Sequence, residues 1–168
     1  MSVAHVGLGS NLEHPRRQLA RAVRALGRLP LTRVVAVSPA YLSAPVGTNG
    51  AQPDYVNAVA QLDTRLAPRA LLARLFAIER RHGRRRVAGA PARAPRTLDL
   101  DLLLFGRRRL AAPGIVIPHP RMHERAFVLR PLTDVAPAAR IPGRGLARAA
   151  LPRVRGQRIE RTRSHGGA

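Results

Sequence analysis

The segment PRTLDLDLLLF at 95–105 places two aspartates, Asp99 and Asp101, inside a run of leucines. In a strand, alternate residues share a face, so both carboxylates point the same way with Cα atoms about 6.5–7 Å apart. Leu98, Leu100, Leu102 and Leu104 then face a core. Neighbouring carboxylates repel, and withdrawing them from water is costly unless a cation compensates. Hard oxygen donors of this kind suit Mg²⁺, which takes one or two carboxylates, waters and phosphate oxygens. A solvated strand face with both acids paired to arginines satisfies the same pattern, because D-x-D is common.

The stretch before the aspartates is basic: GRRR at 83–86, then Arg93 and Arg96. Guanidinium forks bind phosphate oxygens bidentately and neutralise charge on a transferring group. In a loop rich in proline and glycine they would close over a triphosphate, or simply be solvated. Glu79 closes a helix beside this loop, as an exposed residue or a polar contact near a nucleotide. Tyr55 and Asn57 are two apart and share a strand face. An aromatic beside an amide suits a flat heterocycle, one stacking and the other supplying a donor and an acceptor. His119 and His123 lie in the turn PHPRMHER, but no further ligand accompanies them at a convincing zinc spacing.

These residues need elements to hold them. Residues 3–8 form an apolar run, after which Gly-Ser-Asn is expected to turn the chain. Pro15 opens a helix carrying Leu19, Ala22, Val23 and Leu26 at helical spacing. Residues 33–37 and 55–62 read as strands flanking a loop at 44–53. Pro68 opens a second helix with Leu71, Leu72, Leu75 and Ile78 on its stripe, stopped by Gly83. Residues 84–97 read as a loop, 97–105 and 115–117 as strands, and 127–132 as a packed final segment. The order β-α-β-β-α-β predicts an α+β ferredoxin-like sandwich, with an antiparallel sheet, helices on one face and C-terminal additions. The opposite face is expected to be open to substrates. One domain over 1–152 is expected, with 153–168 a disordered Arg/Gly-rich tail.

The bulk composition narrows the classes. The 168 residues carry a net charge of +21 and no cysteine, which excludes disulfides and thiolate metal sites. All 30 basic residues are arginine. Such a bias fits GC-rich codon usage as well as a phosphate-binding surface, so the charge implies attraction to a polyanion without naming it. No apolar run approaches the ~18 residues of a membrane span, and the cytoplasm is the expected compartment.

Together these segments resemble the 6-hydroxymethyl-7,8-dihydropterin pyrophosphokinases. The matching pieces are GLGSN at 7–11, QPDYVNAV at 52–59, GRRR at 83–86, APRTLDLDLLLFG at 94–106 and PHPRMHERAFVLRPL at 118–132. The resemblance implies transfer of diphosphate from ATP to the pterin hydroxymethyl group, releasing AMP, with two Mg²⁺ ions. It implies that Asp99 and Asp101 bind metal, with Arg84 and Arg96 acting beside them in catalysis. Tyr55 and Phe127 would sandwich the pterin, while Asn57 and residues Ser43, Ala44, Pro45 and Val46 would contact its edge. Glu79, Arg84, Arg86, Arg96, His119 and Arg125 would line the nucleotide. Members commonly have a tryptophan where this chain has Arg93, a tyrosine where it has Pro120, and a basic residue where it has Gly114. The loop before Asp99 is also about two residues longer here. The reading implies a monomer acting on small molecules, with no specific nucleic acid and no membrane.

Two rivals are a basic ferredoxin-like RNA-binding module and a ligand-binding regulator that has lost catalysis. RNA-recognition domains share the element order but stack bases on sheet aromatics, and only 3% of this chain is aromatic. The intact aspartate pair opposes the second.

Overall fold

The computed structural model describes residues 1–11, 14–44, 54–83 and 98–163. The strand β1 (Ser2–Ser10) is followed by α1 (Pro15–Gly27), β2 (Thr32–Val37), β3 (Tyr41–Ser43) and β4 (Tyr55–Thr64). Then come α2 (Pro68–Arg81), β5 (Asp99–Phe105) and a hairpin of β6 (Leu110–Ala112) with β7 (Ile115–Ile117). The chain closes with α3 (Ala126–Val135), a short hairpin of β8 (Arg140–Ile141) and β9 (Gly145–Leu146), α4 (Leu151–Val154) and β10 (Ile159–Arg161). Proline at the start of α1 and α2 suits a first turn whose N–H groups lack helical partners.

The main sheet runs β10-β3-β4-β1-β5, with β2 also pairing β4, and all these pairings are antiparallel. This is the expected α+β ferredoxin-like sandwich with additions at its C-terminal end. One apolar layer joins Leu19, Ala22 and Leu26 of α1 and Leu71, Leu75 and Ile78 of α2 to alternate residues of β1, β4 and β5. Leu72 stays half-buried. Burial of a leucine-sized side chain contributes about 1.5–3 kcal/mol, so this layer dominates the stability of the fold.

Four expectations are corrected. The strand β1 does not end at residue 8; it runs to Ser10, so Gly7 and Gly9 lie within the sheet. Leu104 does not face the helices α1 and α2. The pairing jumps from His5–Leu104 to Val6–Leu102, and the extra residue Leu103 makes a bulge. Asp99, Asp101 and Leu103 keep one face by alternation, and after the bulge Leu104 joins it. Both leucines pack with Val59, Met122, Leu129 and Leu132 in a second core, while Phe105 returns to the first.

That second core shows that the far face of the sheet is only partly open. The helix α3 crosses it over β4, and Tyr41 of β3 donates a hydrogen bond to Asp134 of α3. Nor is the chain frayed after residue 152. Val154 is buried in the second core, and β10 pairs with β3 at Ile159–Ser43, Glu160–Leu42 and Arg161–Tyr41. The segment is arginine-rich, yet Val154, the half-buried Leu151 and Ile159, and the backbone ladder help to seat it. Residues 164–168 of the expected tail lie outside the described residues. Among the described residues no helix is long and apolar enough to cross a membrane.

Candidate active site

Register places the chemistry. Tyr41, Asn57, Gly9 and Asp99 form one row across β3, β4, β1 and β5, and Val59, Gly7 and Asp101 form the next. Directly opposed residues of antiparallel strands share a face. With neighbouring strands about 4.7–4.9 Å apart, Asn57 and Asp99 stand roughly 9–10 Å from each other on either side of Gly9. That gap has the breadth of a flat heterocycle.

Glycine keeps it open. A Cβ at Gly9 would lie 3.2 Å from Asn57 Oδ1 and 3.8 Å from Tyr55 Cδ1. Any side chain there would fill the space between the amide, the aromatic ring and the aspartates. A Cβ at Gly7 would meet the Leu103 side chain at 3.5 Å, an ordinary contact, so Gly9 is the tighter floor. The sequence alone placed Gly7 in the apolar run and Gly9 in a turn, and put neither in the site. Gly-x-Gly inside an apolar run at the chain start was the available signal.

The amide is oriented before any ligand arrives. Asn57 is buried, and its Nδ2 donates to Ser43 Oγ at 2.7 Å and more weakly to Tyr41 O at 3.5 Å. Oδ1 is therefore the atom presented over Gly9, an acceptor for an N–H on a ring edge. Ser43 is itself buried and acts through Asn57. Tyr55 opens β4 opposite Ser43, and Ala44 follows as an exposed residue. Pro45 and Val46 lie outside the described residues.

On the other side of the slot, Asp99 and Asp101 are half-buried on the shared face. The peptide between them is fixed from α2: the buried Glu79 accepts the Leu100 N–H at Oε2 over 2.9 Å. Glu79 thus holds the aspartate strand in place. The turn at 118–121 lies alongside, with His119 N–H bonded to Leu103 O at 2.9 Å. Burial pushes the His119 imidazole down to about 4, helped by the Arg125 and Arg121 charges and opposed by Asp99. Its Nδ1 accepts the Arg121 N–H at 3.2 Å, so the neutral ring carries its proton on Nε2. His123 instead lies 3.4 Å from Glu124.

Arg125 and Phe127 meet directly, the guanidinium 5.5 Å from the ring centroid. The expected nucleotide contact and the expected pterin contact are therefore neighbours at the start of α3. Arg84, Arg85, Arg86, Arg93 and Arg96 lie outside the described residues.

Among the described residues no group of three His, Asp or Glu side chains forms a cage for a metal. Two half-exposed carboxylates beside a glycine floor still fit magnesium, whose remaining positions water and phosphate fill.

A ferredoxin-like domain carrying paired carboxylates beside a heterocycle-sized slot has the features of a phosphate-transferring enzyme, and comparison with known proteins identifies the family. Residues 5–137 match the family described as 7,8-dihydro-6-hydroxymethylpterin-pyrophosphokinase (HPPK). The 2-amino-4-hydroxy-6-hydroxymethyldihydropteridine pyrophosphokinase of Pseudomonas aeruginosa is 54% identical over 138 residues, covering 82% of this chain and 83% of that one. The Haemophilus influenzae protein of the same name is 44% identical over 136 residues, covering 81% and 82%. The crystal structure of Plasmodium falciparum HPPK-DHPS with pteroate aligns with a TM-score of 0.69 and 13% identity, a likeness of fold alone. It covers 90% of this chain and 42% of that longer one. The chain belongs to the 7,8-dihydro-6-hydroxymethylpterin-pyrophosphokinase family, and is a diphosphate-transferring enzyme of folate biosynthesis.

Proposed function

We propose that the slot over Gly9 holds 6-hydroxymethyl-7,8-dihydropterin, and that its hydroxyl attacks the β-phosphorus of ATP beside Asp99 and Asp101. The observation that carries this reading is the row Asn57–Gly9–Asp99, an oriented acceptor and an acidic pair facing one another across a glycine. Asn57 Oδ1 accepts from the ring edge, with Ser43 fixing the amide. Tyr55 and Phe127 enclose the ring faces, and residues 44–46 complete its edge. Magnesium, two ions in this reading, is held by Asp99 and Asp101 and supplies charge compensation at the phosphates.

The remaining groups bind and orient the nucleotide. Neutral His119 donates from Nε2, and Arg125 exchanges its place on Phe127 for a phosphate. Arg84, Arg86 and Arg96 stabilise charge as AMP leaves. Glu79 serves the nucleotide end by holding the Asp99–Asp101 peptide. ATP is the co-substrate, and a monomer in the cytoplasm, where ATP is at hand, is the proposed working form. The RNA-binding alternative loses ground because α3 covers part of the face on which bases would stack.

Product analysis tests the reaction. AMP and pterin diphosphate are expected in equal amounts, and only when both substrates are present. ADP with a pterin monophosphate would contradict attack on the β-phosphorus, and AMP formed without pterin would contradict the pterin hydroxyl as the required nucleophile.

A further inference from the structure

Three consecutive residues near the C-terminus each grip a different segment of the slot. Gln157 accepts the Ala126 N–H at Oε1 over 2.9 Å and donates from Nε2 to the Glu124 carbonyl over 2.7 Å. Those two groups belong to the peptides on either side of Arg125, the single extended residue (φ −124°, ψ 112°) between the turn at Met122–Glu124 and α3. The side-chain amide imitates a neighbouring strand and fixes the backbone leading into Phe127. Arg158 pairs with Asp54, the residue before Tyr55. Ile159 is paired in the sheet with Ser43, which orients Asn57.

The segment is itself tied at both ends. Val154 is buried in the second core, and Gln157 N–H bonds to its carbonyl at 2.9 Å. Beyond β10, Thr162 donates to Ala40 O from its N–H at 2.9 Å and from Oγ1 at 3.1 Å. Phe127 stands on α3, whereas Tyr55 and Asn57 stand on β4. Residues 157–159 hydrogen-bond or ion-pair to segments flanking all three.

We propose that residues 157–159 brace the pterin slot and set its width, with Gln157 as a positioning residue for Phe127 and Arg125. The proposal rests on the assignment of Tyr55, Asn57 and Phe127 to the pterin. A ring held between two aromatics tolerates little change in their separation, and misplacement by about 1 Å can cost a hundredfold in rate.

Gln157→Leu removes both hydrogen bonds at nearly constant size. Its pterin affinity, titrated directly with a non-hydrolysable ATP analogue present, is expected to fall about tenfold, a smaller loss than the roughly hundredfold that a full misplacement of about 1 Å can cost. The affinity for the analogue alone should fall less than the pterin affinity, because Arg125 is one of several groups assigned to the nucleotide, a split that general destabilisation would not give. Arg158→Ala is expected to weaken pterin binding two- to threefold, and carries the test if Gln157→Leu does not fold. Tyr55→Ala and Phe127→Ala separate the two claims. If they lose pterin while the Gln157 and Arg158 variants bind it as the parent does, the brace is wrong and the slot assignment stands. If they bind pterin normally, the slot assignment fails and the brace with it.

Discussion

The two sides of the slot are held by different means. On the β5 side, Asp99 and Asp101 alternate along one strand, steadied by Glu79 through the Leu100 N–H and flanked by the His119 turn. On the β3 side, no single segment carries the pocket. Asn57 needs Ser43, and the flanks of Ser43, Tyr55 and Phe127 are joined by a C-terminal segment that comes roughly a hundred residues after Tyr55. On the proposed assignment, chemistry at the first side depends on charge placed locally, and recognition at the second on spacing enforced at long range. Substitutions on the two sides should therefore fail differently.

The largest effect belongs to the acidic side. Asp99→Asn or Asp101→Asn should lower turnover at least about a hundredfold, comparable to losing a principal charge-stabilising group. Folding should be unchanged or slightly improved, because one carboxylate fewer relieves repulsion in the metal-free protein. Turnover with magnesium titrated, alongside melting curves, checks both halves of that statement.

Truncation after Pro152 attacks the other side. It removes the buried Val154, the β10 ladder and both Gln157 bonds, which together are expected to cost about 2–3 kcal/mol once the chain entropy regained is subtracted. For a protein of this size that is a fall of roughly 5–10 °C in melting temperature. The composition of the segment alone predicts no such loss, and an unchanged melting temperature would return it to the status of a tail. Gly9→Val should place methyl groups into the slot. Overpacking of about 1–3 kcal/mol implies roughly tenfold to hundredfold weaker pterin binding, read by titration.

Smaller effects come from protonation and from solvated charge. Burial lowers the His5 pKa, outweighing the hydrogen bond to Gln61 that raises it. The unfolded chain, with His5 near 6.5, then binds more protons than the folded one as the pH drops below that value. Stability should fall from about pH 6.5 downward, and His119, with a folded value of about 4, acts in the same direction. The urea midpoint of His5→Leu should fall less between pH 7 and pH 5 than that of the parent. Arg85→Ala is expected to weaken ATP attraction by less than about 1 kcal/mol, an effect that added salt removes.

How much of this was legible in the sequence follows the same division. Alternation in DLD placed both aspartates on one face, and helical spacing in 15–27 and 68–81 gave both helices. The bulge was hidden because residues 102, 103 and 104 are all leucine, so a one-residue slip leaves no mark on the pattern. Gly9 looked like the start of a turn, since the value of its missing side chain depends on Asn57 opposite. The seat of the C-terminal segment was illegible for a related reason. Gln157 acts through backbone groups of residues 124 and 126, and backbone groups carry no sequence signature.

The central claim is that the phosphates and the pterin meet over Gly7 and Gly9, between Asn57 and the aspartates. Mn²⁺ substituted for Mg²⁺ in the presence of pterin and a non-hydrolysable ATP analogue reports that location through paramagnetic broadening of amide signals. Broadening should be strongest at Gly7, Gly9 and residues 99–101, weaker at residues 159–161, and lost in the Asp99→Asn, Asp101→Asn double variant. Broadening centred elsewhere, or unchanged by the double substitution, would contradict it.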